Sequence, residues 1–294
     1  MVHRTVSART GIAAVFLYST LAFAPASLVA QAGAKQSSGV EFDMKTTMSV
    51  SGGMSGMLAG VPPGYSGHGV VAGNRMRIDI LDGALALLAE KGDYILFDTA
   101  GMTIVHPSKK EFVPIPKDFS TKALDQMLAM GMSVSIGGIG VTFDSLPGTD
   151  TIAGFPTRHY RTSVGYTLTL EGMGTAQQMK SEATSEYWMA TIPGLASSPL
   201  ERASQLSGSG QGLNSTSTAA PFKELVAKTD SVTRRMTGTA VRMRATTTSE
   251  SGLAGTMGID MTSEMSNLKR SPVADGMFVV PSDYTRGASP LGGN

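Results

Sequence analysis

Few residues in this chain could do chemistry. Once His3 near the N-terminus is set aside, the histidines are His68, His106 and His159, and there is no cysteine. None of the three has a second histidine or a carboxylate at helical ligand spacing, so the pattern predicts no metal site. His106 precedes Pro107 at a strand end and His159 sits on a polar strand face, so both are read as solvated. No thiol nucleophile exists, and no serine sits in a G-x-S-x-G elbow with a plausible histidine partner. The segment Gly208-Ser209-Gly210-Gln211-Gly212 has nucleotide-loop glycines but no preceding apolar strand to aim them. Asp79 with Asp82, and Glu182 with Glu186, fit solvated strand faces and turns better than an acid–base pair. The expectation is a protein that is not an enzyme and carries no cofactor.

The unusual side chain is methionine, with 19 copies against one tryptophan and ten phenylalanines. Methionine is flexible and polarizable, fills irregular space and recurs on surfaces that accept ligands of variable shape. Three readings stand open: an ordinary core that uses methionine, a pliable apolar groove, or thioether binding of Cu(I). The last would draw on Met54-x-x-Met57 and Met127-x-x-Met130, yet copper loops usually concentrate methionine with histidine and here the methionines are dispersed. The groove reading predicts a cavity lined by Met44, Met48, Met76, Ile78, Ile80, Val164, Tyr166 and Leu168. The glycine-rich segment 51–67 would then form a lip carrying Met54, Met57 and Leu58; a plain connector is the alternative.

Elements must position these side chains, and the dominant pattern is a period of two. Phe42, Met44, Thr46, Met48 and Val50 share one face against Glu41, Asp43, Lys45, Thr47 and Ser49. The run Val70, Ala72, Met76, Ile78, Ile80 opposes Arg75, Arg77 and Asp79. Tyr160 to Leu170 alternates likewise with His159 to Glu171, Val241 to Ala245 with Arg242 and Arg244, and Met257 to Met265 with Gly258 to Glu264. Such alternation belongs to antiparallel sheet wetted on one face. Shorter strands are expected at 85–90, 94–98, 102–106 and 111–115, joined as a meander by hairpin-length turns.

Helices are few. Ser120 caps a candidate helix whose Phe119 and Leu124 make a hydrophobic staple, with a stop at Gly131. Ser198-Pro199-Leu200-Glu201 is a capping box with proline in the first turn, and 221–228 is a weaker candidate. Residues 207–219, rich in Ser, Gly, Thr, Asn and Gln, read as a loop or lid. Two or three helices cannot form a second full layer. The sheet must therefore curl over them into a half-barrel or close on itself.

Residues 1–32 read as a signal peptide: Arg4 and Arg9, an apolar run from Gly11 to Val29, and Ala30-Gln31-Ala32 as the cleavage pattern. The run is broken by Ser19, Thr20, Pro25 and Ser27, which argues against a spanning helix. The expectation is an exported, soluble, periplasmic or extracellular protein; without cysteine it has neither a lipoprotein anchor nor a disulfide framework. Removal of two arginines takes the formal charge from +1 to −1, no magnet for nucleic acid or anionic lipid. The remaining ~260 residues suit one large all-β domain, placed at 33–286 with a flexible tail at 287–294.

The order of features resembles a bacterial family of unknown function similar to the periplasmic lipoprotein carriers LolA and LolB and the sensor RseB. The resemblance lies in 94–98 (Tyr-Ile-Leu-Phe-Asp), 106–112 (His-Pro-Ser-Lys-Lys-Glu-Phe), 151–160, 186–189, 238–242 and 277–284. It implies a mainly β (α+β) fold, an open, strongly curved antiparallel half-barrel around short helices, whose cavity in the carriers holds acyl chains. The partner it implies is a hydrophobic, acyl-bearing ligand, or an envelope protein if the interior is filled. No binding residue carries over.

Overall fold

The computed structural model describes residues 36–52, 63–85, 88–116, 128–129, 131–172, 175–195, 198–204, 220–252 and 255–288. The expected signal peptide (1–32), the expected lip residues Met54, Met57 and Leu58, the segment 207–219, most of 287–294 and all but the last residues of the helix expected after Ser120 lie outside them.

The strands are β1 (Gln36–Gly52), β2 (Gly64–Ala72), β3 (Arg75–Leu85), β4 (Ala89–Glu90), β5 (Tyr94–Phe97), β6 (Gly101–His106), β7 (Glu111–Pro116), β8 (Ser133–Leu146), β9 (Thr151–Ile152), β10 (Phe155–Gly172), β11 (Thr175–Ala190), β12 (Thr239–Ser251), β13 (Gly255–Ala274) and β14 (Thr285–Arg286). They form one curved, unclosed sheet in the order β14-β7-β6-β5-β3-β2-β1-β13-β12-β11-β10-β8. The mainly β open half-barrel, one of the two closures the alternation left open and the one the resemblance implies, is the fold observed. It is two meanders, β1 to β7 and β8 to β13, joined where β1 pairs with β13. One expectation needs correction: the sheet is mixed, because β14 pairs with β7 in parallel.

A second correction concerns 70–80, read above as one alternating run. The chain turns at Gly73-Asn74, and Ala72 pairs with Arg75. Paired residues share a face, and 72 and 75 differ in parity, so the turn exchanges the faces. Met76, Ile78 and Ile80 enter the main core, while Val70 and Ala72 pack outside with Val273, Met277 and Phe278. Strand 85–90 likewise resolves into the end of β3 and the short β4.

Two helices lie on the inner face. Helix α1 (Pro199–Ser204) begins as the capping box predicts: the Glu201 backbone N–H donates to Ser198 Oγ at 3.4 Å, and burial holds the Glu201 carboxyl above its ordinary pKa. Its Leu200 and Ala203 pack with Phe42, Met44, Met76, Ile78, Ile95, Ile104 and Ile192. Because strands from β1 to β11 contribute to that one cluster, the sheet wraps around α1. Helix α2 (Lys223–Thr233) runs five residues beyond the 221–228 estimate and is preceded by a 3-10 turn, Ala220–Phe222. Phe222, Leu225 and Val226 pack on β8 and β10.

The outer face is ion-paired: Arg161 with Glu186, Arg242 with Glu264, Arg77 with Asp79 and Lys269 with Glu41. Over its β2–β7 half the C-terminal segment forms a strap. Asp275 takes a hydrogen bond from Arg75 (2.6 Å), Met277 O one from Arg77 (3.2 Å), and Val280 and Tyr284 cover Tyr94, Leu96 and Val105.

Candidate ligand groove

Register places the inner-face residues of the six long strands in rows. One row reads Thr46, Ser263, Met243, Tyr187, Tyr160; the next Met48, Met261, Ala245, Ser185, Thr162, Phe143; the next Val50, Ile259, Thr247, Ala183, Val164, Val141. Further out, Met257, Ser249 and Ser181 share a row, as do Met179, Leu168 and Ile136. The two central strands, β11 and β12, thus present small side chains: Ser181, Ala183, Ser185, Ala245, Thr247 and Ser249. The strands on either side present large apolar ones. The result is a trough whose small-residue floor is mostly buried (Ser181, Ser185, Ala245 and Thr247), with partly exposed walls of Met48, Val50, Met257 and Ile259 on one side and Phe143, Val141, Tyr166 and Leu168 on the other, the latter packed in part by α2. Wall backbones on β13 and β10 stand three strand spacings apart, ~14 Å, and the trough runs ~20 Å along the strands, the reach of a fatty acyl chain.

The eight cavity residues expected from sequence divide between two environments. Met44, Met76, Ile78 and Ile80 are at 0–2% exposure inside the main core. Buried this completely, they leave no room for a ligand, and at these positions the barrel is filled by its own side chains. Val164, Tyr166 and Leu168 lie instead in a separate cluster against α2. Met48 belongs with them in the outer rows; it, Tyr166 and Leu168 are half-buried, so the apolar surface there is still open.

At the boundary between filled core and trough stands a chain of hydroxyls. Thr46 Oγ1 and Ser263 Oγ are 2.9 Å apart, and the Tyr65 hydroxyl is hydrogen-bonded to Thr46. Burial pushes the Tyr65 pKa up to about 12. These three polar groups satisfy one another inside an apolar interior, as buried polar groups must.

Apart from Ala245, the floor residues are absent from the sequence reading. The signal that could have found them is an alternation of small against long polar residues, Ser181, Ala183, Ser185 against Lys180, Glu182, Glu186, where apolarity alone shows nothing.

Two histidines differ from expectation. His106 Nδ1 lies 2.9 Å from Asp93 Oδ2, which also accepts the Glu90 N–H at 2.9 Å, and Asp93 is buried. His159 stacks on Trp188, ring centroids 4.2 Å apart, with Nε2 3.7 Å from Glu186 and without a hydrogen bond. Both are built into the structure rather than solvated. Among the described residues no cluster of histidine and carboxylate side chains could hold a metal ion, and no helix is long and apolar enough to cross a membrane.

Comparison with protein-family models, curated proteins and solved structures gives no match to this chain.

Proposed function

We propose that this is an exported, non-enzymatic binding protein whose half-barrel takes the hydrocarbon part of a lipid or lipoprotein-like ligand along the trough. One observation carries the reading: beyond the packed core the inner face continues as half-open apolar walls over a floor of Ser, Ala and Thr. Methionine on the wall suits a ligand of variable shape. The open half-barrel is also the fold that the resemblance to lipoprotein carriers implies.

The test is displacement of a fluorescent fatty acid from the purified protein, with native mass spectrometry of protein isolated from its own envelope. Wild type should carry or exchange an acyl mass, and Ala183→Phe should lose it while melting at the same temperature or above. Equal binding by wild type and Ala183→Phe, or no binding by either, would sink the reading.

A second reading is an envelope sensor or structural interaction module with a filled interior. What favours it is the complete burial of Met44, Met76 and Ile78. It expects no acyl mass and capture of an envelope protein by the outer face.

A further inference from the structure

At the opposite end of the inner face from the trough is a pocket of different chemistry. It measures about 420 Å³ and is lined by Thr149, Pro156, Thr157, Arg158, Met189, Thr191 and Thr237. Arg158 and Met189 are a register pair at the start of β10 and the end of β11, and Thr237 lies in the turn between α2 and β12.

Arg158 is exposed and is one of several arginines on the sheet without a carboxylate partner: Arg75, Arg77, Arg161 and Arg242 each hold one within 2.6–2.7 Å, whereas Arg158, like Arg244 and Arg270, does not, and of these three it alone lines the pocket. The Arg158 side chain makes one hydrogen bond, from Nη1 to Thr237 Oγ1 at 3.3 Å, and no carboxylate within ion-pair distance. The nearest acid along the chain, Asp150, has Oδ2 occupied by the Trp188 indole N–H at 2.9 Å. Thr237 accepts from Arg158, which leaves its own hydroxyl hydrogen to donate, and the Thr149 and Thr191 hydroxyls are unengaged. Thr157 is committed, donating to Asp150 O. Two residues before Thr237 stands Arg235, its guanidinium over the Phe143 ring at 4.3 Å, and beside it Arg234, whose partner Asp230 is 3.9 Å away. A cationic fork with unfilled donors and three hydroxyls free to donate are what a tetrahedral oxyanion is recognised by, and the two guanidinium groups on the adjoining turn add positive charge outside the lining. The volume exceeds that of a bare anion, and Pro156 and Met189 supply an apolar wall for a carbon skeleton.

We propose that this pocket binds the phosphoryl group of an organic phosphate, with Arg158 as its principal ligand and Thr149, Thr191 and Thr237 as hydroxyl donors. The group could belong to a soluble phosphomonoester or to a phospholipid head, and the chemistry of recognition is the same. The proposal does not depend on what occupies the trough.

The test is titration of the full chain at low ionic strength with inorganic phosphate and with glycerol 3-phosphate, beside flotation with phosphatidylcholine vesicles with and without phosphatidylglycerol. Both soluble probes are expected to bind, and Arg158→Gln to weaken them roughly 10- to 100-fold, the effect of losing charge-assisted hydrogen bonds. Arg158→Lys should fall between, and Arg242→Gln, which removes a paired arginine elsewhere, should match wild type. Flotation that needs both phosphatidylglycerol and Arg158 identifies a lipid head group; soluble binding without flotation identifies a soluble ester. Melting curves show whether each variant is folded. Equal phosphate affinity in wild type and folded Arg158→Gln, or no binding to wild type up to about 10 mM, overturns the proposal.

Discussion

Tyr65, Thr46 and Ser263 show how single residues set the boundary between filled and open interior. The Tyr65 hydroxyl has a pKa raised to about 12 by burial, above the unfolded value near 10. A raised pKa means that the folded state holds the proton more tightly, so its contribution is complete below pH 10 and lost between pH 10 and 12. Alkaline unfolding should therefore remove roughly 2–3 kcal/mol across that window. Tyr65→Phe should flatten the decline, at a cost of about 1 kcal/mol at neutral pH, read from urea denaturation. Asp93 makes a comparable case. Its Oδ2 serves both Glu90 N–H and His106, so Asp93→Ala leaves two donors without their acceptor and should cost about 2–3 kcal/mol, with Asp93→Asn costing less. His106 looked solvated in the sequence because Asp93 is thirteen positions away and reaches it only when β5 and β6 pair.

At the scale of the element, β8 is the informative strand, because it ends the sheet. Gly140 pairs with Gly165 and Gly137 with Thr167, so Gly138 and Ile139 together oppose Tyr166 in a bulge, with Gly138 at φ +63°. Lys228 of α2 donates to the Ile139 carbonyl at 3.1 Å. A bulge and a lysine are the usual ways to stop an edge from recruiting another strand. Deleting Gly138 together with Lys228→Ser should yield self-associating protein in sedimentation velocity, whereas Lys228→Ser alone should stay closer to wild type. The same glycines explain why β8 was not legible: Gly137, Gly138 and Gly140 erase the apolar alternation that made β10 and β13 plain. β11 was obscured by its small floor residues, and the β2–β3 turn by a parity change no single-strand pattern registers. The cap of α1 was legible since Ser198, Pro199 and Glu201 act within one turn of chain. The α1 cap and the alternation of β1, β10 and β13 depend on residues within one turn or one strand, whereas β8, β11 and the β2–β3 face exchange depend on the neighbouring strand.

At the scale of the whole molecule, the two faces of the sheet are handled differently. The inner face is closed near α1 and partly exposed along the trough walls, while the outer face is ion-paired over the β8–β13 meander and strapped by 275–286 over the other. Truncation after Ala274 would uncover Val70, Ala72, Leu96 and Val105 and leave Arg75 without its carboxylate. Burial of four such side chains is worth several kcal/mol, so the truncated chain should melt well below the full one and bind a hydrophobic dye at ambient temperature.

The seam between the meanders joins β1, which starts at Gln36, to β13, which ends at Ala274. The first strand made is thus the partner of nearly the last. Long-range pairing of this kind is slow to form, and a growing chain has no way to complete it until almost all of its length has emerged. Each meander can pair its own strands early, yet the core they share around α1 is sealed only when this last seam closes.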